Sequence, residues 1–351
     1  MSRFMTAVRA ALASLLLSGA AGGQEVRPGS ATVFSIQADG ALTNLEENEP
    51  LSHRMVDELV MALTQKESLA AAWRSLILPS DTVGIKVATD GGRYFSSHPA
   101  VVEAIVDGLE SAGVARSRIV IWDRSSSALR LAGFQSRAGG PEVHGIDPPR
   151  GLDPKAAVTT PALGKLMWGD LLFAEKQRVK LGAPRSETDQ LSSTSHLGRV
   201  FSRITKIINV PVLSDERGCG IAGAIYNLTV PNVDNWRRFT QPGSGGSIAD
   251  LYADERISPK VVLHVMDALL AQYAGGPGFN PNYAFAHQTL YASRDPVALD
   301  ATALRKIAEW RKSAQLPPNG ARGEWLQYAS QLGLGESAEE RISVRSVALP
   351  R

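Results

Sequence analysis

TVGIKVATDGGRYFSSHPAVVEAIVDGLESAGVARSRIVIWD, residues 82–123, decides the fold class. Thr82–Ala88 is short and β-branched, and it stands between Asp81 and Asp90-Gly91-Gly92, which predicts a strand followed by a turn. Pro99 suits a first helical position and Gly113 the place just past a helix end. Between them Val101, Val102, Ile105, Val106 and Leu109 fall on one helical face. Ile119–Trp122 is a second short apolar strand, ending in Asp123. Strand, helix and strand within about 40 residues form a right-handed βαβ unit, and therefore part of a parallel sheet.

Outward from this unit the pattern continues. Thr32–Gln37 is expected to be a strand, and residues 52–76 carry helical spacing through Val56, Leu59, Val60, Leu63, Leu69, Ala72, Trp73 and Leu76. Residues 139–164 are dense in Gly and Pro and suit a long surface loop or an irregular strand pair, with a further short element at Leu166–Phe173. Thr205–Leu213 is expected as a strand, Gly220–Leu228 as a helix, 240–247 as a flexible loop and Lys260–Tyr273 as a helix. Thr289–Ala292 is a strand, Asp295 or Ser293 can cap a helix that has Pro296 in its first turn, and Glu324–Leu332 is a last helix. The expected fold is α/β: a mostly parallel central sheet with flanking helices, built from βαβ units. Residues 24–351 are expected as one domain, with 130–200 as an inserted lobe or long loops.

Composition and the first residues suggest an address. Arg3 and Arg9, the apolar run Ala10–Leu17 and the small residues Ser18–Gly23 follow the order of a secretory signal, with cleavage expected near Ala20–Gly23. The two arginines are not adjacent, and the one cysteine, Cys219, is far from the cleavage region, so neither a twin-arginine signal nor a lipid-anchored cysteine is expected. No later stretch reaches the ~18 apolar residues of a membrane span. The expectation is an exported, periplasmic or secreted protein with no transmembrane segment in its mature chain. One cysteine allows no internal disulfide and no intrinsic iron–sulfur cluster. A net charge of +2, from 37 basic and 35 acidic residues without a long basic run, does not suit a nucleic-acid partner. Nothing in the pattern sets an oligomeric state.

Ligands of open parallel sheets bind beyond the carboxyl ends of the strands. Three strand ends here are polar: Thr89-Asp90 after the strand that holds Lys86, Asp123-Arg124-Ser125 and Ser214-Asp215-Glu216-Arg217. His98 opens the helix after the first of them. Lys86, His98 and Asp123 are thus the candidate catalytic groups. Each has a plainer alternative: a solvent-facing lysine, a turn histidine, an aspartate closing its own turn.

Gly218-Cys219-Gly220-Ile221-Ala222-Gly223 spells G-x-G-x-x-G, but four polar residues separate it from the strand and Pro231 follows soon after, so a dinucleotide fold is not expected. The amides of Gly218 and Gly220, at an expected helix start, remain candidates for a small anion such as phosphate or carboxylate. Cys219 is either an activated thiol or an inert small residue in a tight place. His264 and Asp267, three apart on an expected helix, share a face and suggest a divalent metal as readily as a satisfied core histidine. Asp300 lies beside the apolar stripe Val297, Ala301 and Leu304 and needs a partner. No nucleophile elbow, Walker loop, HExxH or Cys/His zinc spacing occurs.

The ordered pieces VGIKVATDGG (83–92), SHPAVVEAIVDGLESAG (97–113), IVIWD (119–123), IINVPVLSDERGCGIAGAIYNLT (207–229), VMDALLAQYAGGPG (265–278) and YASRDPVALDATAL (291–304) resemble the bacterial and archaeal family named domain of unknown function 362. By motif match, Lys86, His98, Asp123, Asn209, Asn227, Asp267, Asp295 and Asp300 fall at positions the family pattern marks. Asn209 and Asn227 are thereby candidate ligand-binding residues; Asp123, Asp267 and Asp300 are the candidate carboxylates, and Asp267 and Asp300 the candidate metal ligands. Many relatives are exported, and several carry a ferredoxin-type segment that this chain lacks. The chain departs from the pattern where Val212, Ser214 and Glu216 replace two lysines and a histidine, and where Tyr226 replaces a lysine. Two functions remain open: an enzyme acting on a small polar or anionic molecule, with or without a divalent metal, and a non-catalytic binding protein for a small anion or metal complex.

Overall fold

The computed structural model describes residues 30–165, 191–318 and 320–350. The expected signal segment 1–23 and the element at 166–173 lie outside them. The strands are β1 (Ala31–Gln37), β2 (Leu42–Thr43), β3 (Glu46–Glu47), β4 (Val83–Val87), β5 (Ile119–Asp123), β6 (Glu142–Gly145), β7 (Leu152–Lys165), β8 (Leu191–Gly198), β9 (Lys206–Val210), β10 (Val212–Glu216), β11 (Gly220–Ile221), β12 (Val261–Gln272), β13 (Ala284–Ser293) and β14 (Ile342–Ser346). The helices are α1 (Glu49–Thr64), α2 (Leu69–Arg74), α3 (Pro99–Ser111), α4 (Ser126–Leu131), α5 (Val200–Arg203), α6 (Ala224–Thr229), α7 (Gly245–Tyr252), α8 (Pro296–Ser313) and α9 (Trp325–Gln331).

The main sheet runs β14-β1-β13-β12-β9-β4-β5-β6, with β10 continuing along β12 and β11 beside β10. Every pairing along that order is parallel except those of β13. This is the expected α/β architecture, with a mostly parallel sheet. Helices α1, α2 and α3 cover one face through Val56, Leu59, Trp73, Val101 and Ile105. Helices α6, α7, α8 and α9 cover the other through Ile225, Leu228, Ile248, Leu251, Leu299 and Leu326. Both faces are dry, so the central strands β4 and β5 are buried along their whole length.

The βαβ unit stands as read, from β4 through α3 to β5. The helical run 52–76 is instead two helices, because Gln65 turns left-handed at φ 54° and Ser68 caps a second start through the amide of Ala71. The described parts of the 130–200 region, expected as an inserted lobe or long loops, hold three strands. Of these, β6 joins the edge of the main sheet beside β5, while β7 and β8 pair with each other as a strand pair.

Lys260–Tyr273, read as a helix, is the strand β12. It lies inside the sheet with both faces covered, so its apolar residues run almost without break and mimic helical spacing. The consequence reaches the site. Three residues apart on a strand are opposite faces, so His264 and Asp267 point away from each other. His264 faces Tyr252 of α7, and Asp267 faces His98 at the start of α3. Gly220–Leu228 is likewise not one helix: Gly220–Ile221 is strand and α6 begins only at Ala224. Residues 240–247, read as a flexible loop, close a 3-10 turn at Trp236–Thr240 and open α7. Among the described residues no helix is long and apolar enough to cross a membrane.

Candidate functional site

A cleft opens where the sheet splits. β4 and β9 pair in parallel as far as Val87 and Val210. Pro211 then breaks the ladder, having no N–H to donate. The chain resumes as β10, which follows β12 and does not pair with the β4 side of the sheet. The split falls where strand order reverses, since the chain runs outward from β4 to β5 and β6 and returns to β9 on the other side. Such reversals are where open α/β sheets bind ligands. Ala88, Asp90 and Asp123 line one wall, with Val212, Ser214, Tyr226 and Asn227 opposite. The space open to a water-sized group is only about 30 Å³. That is room for one functional group of a ligand, such as a carboxylate or hydroxyl, and not for a nucleotide.

The floor of the cleft is a buried ion pair. Lys86 is wholly buried, and its Nζ donates to Asp123 Oδ1 at 2.7 Å, Asn227 Oδ1 at 3.0 Å and Val87 O at 2.7 Å. An ammonium has three donors, so all are used. Asp123 Oδ2 accepts from the amide of Thr89 at 2.8 Å and its hydroxyl at 2.6 Å, and Oδ1 also accepts from the amide of Arg124 at 2.7 Å. The polar chain continues inward. Asn227 Nδ2 donates to Asn209 Oδ1 at 2.8 Å, and Asn209 Nδ2 donates to His264 Nδ1 at 3.0 Å. Burial drives His264 down to about 3, so its imidazole is neutral, accepts at Nδ1 and carries its proton on Nε2, 3.4 Å from the Tyr252 hydroxyl oxygen. A dry sheet tolerates such polar groups because each is paired.

On the cleft wall Asp90 stands differently. It is exposed at the cleft mouth. Partial desolvation of its carboxyl by the surrounding protein, followed by the negative charge of Asp123, raises it above the ordinary range, against the pull of Lys86 and Arg124. The Tyr226 hydroxyl, which also lines the cleft, makes no hydrogen bond to another described residue.

The sequence candidates separate into distinct places. Lys86, Asp123, Asn209 and Asn227 come together in one hydrogen-bonded chain. His98 does not join them. Its amide and Nδ1 both reach Asp267 Oδ2, at 2.7 and 2.8 Å, tying the start of α3 to β12 on the α1–α3 face. Burial pushes the imidazole down, but the Asp267 carboxylate outweighs this and leaves it raised. Asp300 lies with α8 on the other side, where Oδ1 and Oδ2 accept the amides of Ala224 and Ile225 at 2.5 and 3.0 Å. Asp267 and Asp300 therefore serve different helices and form no common metal set. Among the described residues no three His, Cys, Asp or Glu side chains gather in a way that would hold a metal ion. Gly218 lies in the turn between β10 and β11 and Gly220 opens β11, so neither stands at the expected helix start. The Gly218 and Cys219 amides already donate to Glu216 Oε2, at 2.6 and 2.8 Å. Asp295 caps α8 through the amide of Ala298, as read.

The strands and helices that build this cleft coincide with one family signature. The model of Domain of unknown function (DUF362) matches residues 83–305, more than half of the chain. The chain belongs to the DUF362 family. No curated protein matches it. In this DUF362 protein the match begins at the first residue of β4 and ends within α8, so it spans every group of the Lys86 floor. The departures noted in the sequence acquire a place. Val212, Ser214 and Tyr226 line the cleft itself, and Glu216 is the carboxylate that occupies the turn amides. Asp90 and Ser214, read as parts of polar strand ends, and Tyr226, read as a departure from the family pattern, line the wall, although none of them was among the candidate site residues. The signal for Asp90 was its place in the polar stretch that follows the first strand of the βαβ unit.

Proposed function

We propose that this DUF362 protein is an exported enzyme that transforms a small polar molecule at the cleft beyond β4 and β5, with Asp90 as the group that gives and takes the proton. The observation that carries this reading is the inequality of two carboxylates in one narrow cleft. Asp123 is compensated by buried Lys86 and by Thr89, whereas Asp90 has its proton affinity raised. A carboxyl whose proton affinity is raised by its surroundings, beside one neutralised by a lysine, is suited to giving and taking a proton. Asn227, and Tyr226 with its uncommitted hydroxyl, would orient the substrate.

A binding protein without turnover is the second reading. It is favoured by the saturation of Lys86, whose ammonium has no donor left for a ligand. One experiment separates the two. Wild type and Asp90→Asn are incubated with a small-molecule extract and followed by mass spectrometry. A compound consumed by wild type and spared by Asp90→Asn supports the enzyme. A compound retained unchanged by both supports the binder, and neither behaviour sinks both readings. Export rests on the opening residues alone. N-terminal sequencing of the protein from the periplasm should find a start just after Ala20–Gly23, and an intact Met1 in the cytosolic fraction would overturn it.

A further inference from the structure

Beside the cleft lies a larger hollow with a free volume of about 510 Å³. The two are separated by a thin wall: Ser214 and Pro277 face the cleft, Asp215 and Gly275 face the hollow, and the amide of Gly276 donates to Asp215 Oδ1 at 2.8 Å. Three guanidinium groups converge on the hollow from separate elements. Arg217 comes from the turn after β10, Arg311 from α8 and Arg322 from the 3-10 turn Gly320–Gly323. Arg217 and Arg322 have no hydrogen bond or ion pair with any described residue. Arg311 is spent on carbonyls only, at 3.0 and 2.9 Å to Pro317 O and 3.0 Å to Tyr273 O. Two of its five N–H groups remain. Asp215 is the single carboxylate in the lining, and its Oδ1 is held by the Gly276 amide.

Three like charges around one hollow repel each other, and a single aspartate does not balance them. Planar guanidinium forks match carboxylate and phosphate oxygens in pairs. The Thr240 and Tyr283 side chains add polar lining. We propose that this hollow binds a small molecule bearing two or more phosphate or carboxylate groups. The further step, that this anionic end belongs to the substrate whose reacting group enters the cleft over the Ser214–Asp215 wall, rests on the reading of the cleft as an active site.

The test is calorimetric titration with inorganic pyrophosphate and with citrate at constant ionic strength. The proteins are wild type, the double variant Arg217→Ala with Arg322→Ala, and Asp90→Asn. Neither arginine holds the fold, so the double variant should melt as wild type does. Saturable binding of either probe to wild type is expected, weakened at least about tenfold in the double variant and kept in Asp90→Asn. Pyrophosphate alone would mark a phosphorylated ligand, and citrate alone a polycarboxylate. No saturable binding, or equal binding by the double variant, would overturn the site. Anion binding together with a cleft that turns nothing over would uphold the site and overturn only its link to catalysis.

Discussion

Lys86 and Asp123 sit on adjacent parallel strands, Nζ to Oδ1 at 2.7 Å, with side-chain exposures of 0% and 3%. Lys86 has no access to water and Asp123 almost none, so each depends on the other and on the amides and side-chain amides around them. Such a pair adds little net stability over an apolar pair of the same volume, but removing one partner leaves a charge stranded.

Lys86→Met should therefore lower unfolding free energy by about 3–5 kcal/mol. Adding Asp123→Asn should recover part of that loss, because the stranded charge goes with it. Urea denaturation of the two single variants and the double variant checks this. Additive losses would mean that the pair is not coupled.

The contact between His98 and Asp267 predicts a pH dependence. The folded imidazole is raised above 6.5 by Asp267, against its own burial and with help from Glu47. A raised value means that the folded state holds the proton more tightly than the unfolded chain. The contribution is full below 6.5 and is lost as pH rises through the folded value. His98→Gln should cost more stability at pH 6 than at pH 9, read from urea midpoints. An equal cost at both would remove the charge from the account.

Asp300 predicts a second pH window. Its carboxyl is raised to about 7, chiefly by burial, although two amides donate to it. Its contribution is full below the ordinary 3.8 and is lost by the time pH has passed about 7. Asp300→Ala should cost about 1–3 kcal/mol for each amide left unpaired at the start of α6, with the cost smaller at pH 8 than at pH 5. Gly223→Ala should do similar damage by another route, since a Cβ there would stand 2.1 Å from Asp300 Oδ1. Thermal melts across pH check both.

Cys219 should be inert in the native protein. It is buried, its Sγ donates to Ile221 O at 3.1 Å, and burial, followed by the charge of Glu216, pushes the thiol well up. Iodoacetamide should leave it unmodified in buffer and alkylate it in guanidinium. Modification of the native protein at the rate of a free thiol would contradict this.

The site was legible wherever it followed a strand end in the first βαβ unit. Lys86 and Asp123 were named because short β-branched runs bounded by turn residues announce β4 and β5, and parallel strands carry their ligands at that edge. Asn209 and Asn227 came with the family resemblance, and they meet through Asn227 Nδ2 and Asn209 Oδ1 at 2.8 Å. His98 was placed on the right edge but in the wrong group, because nothing local says that the start of α3 leans on β12. The error at Lys260–Tyr273 has the same root. A strand buried on both faces carries no alternation, and only its neighbours reveal it as a strand.

By itself, then, the sequence determined the α/β class, the order β4-α3-β5 and the polar strand ends, since these follow from local periodicity, turn residues and the handed βαβ connection. Tertiary structure alone decided which polar groups meet. The departure of β10 from β4 at Pro211 opens the cleft, and the placement of β12 in the sheet sends His264 and Asp267 to opposite faces. The cause is physical. Periodicity fixes how a segment presents its own side chains, but a hydrogen bond such as that from Lys86 to Asn227 spans 141 residues of chain. It exists only once the sheet order has been set by packing on both faces.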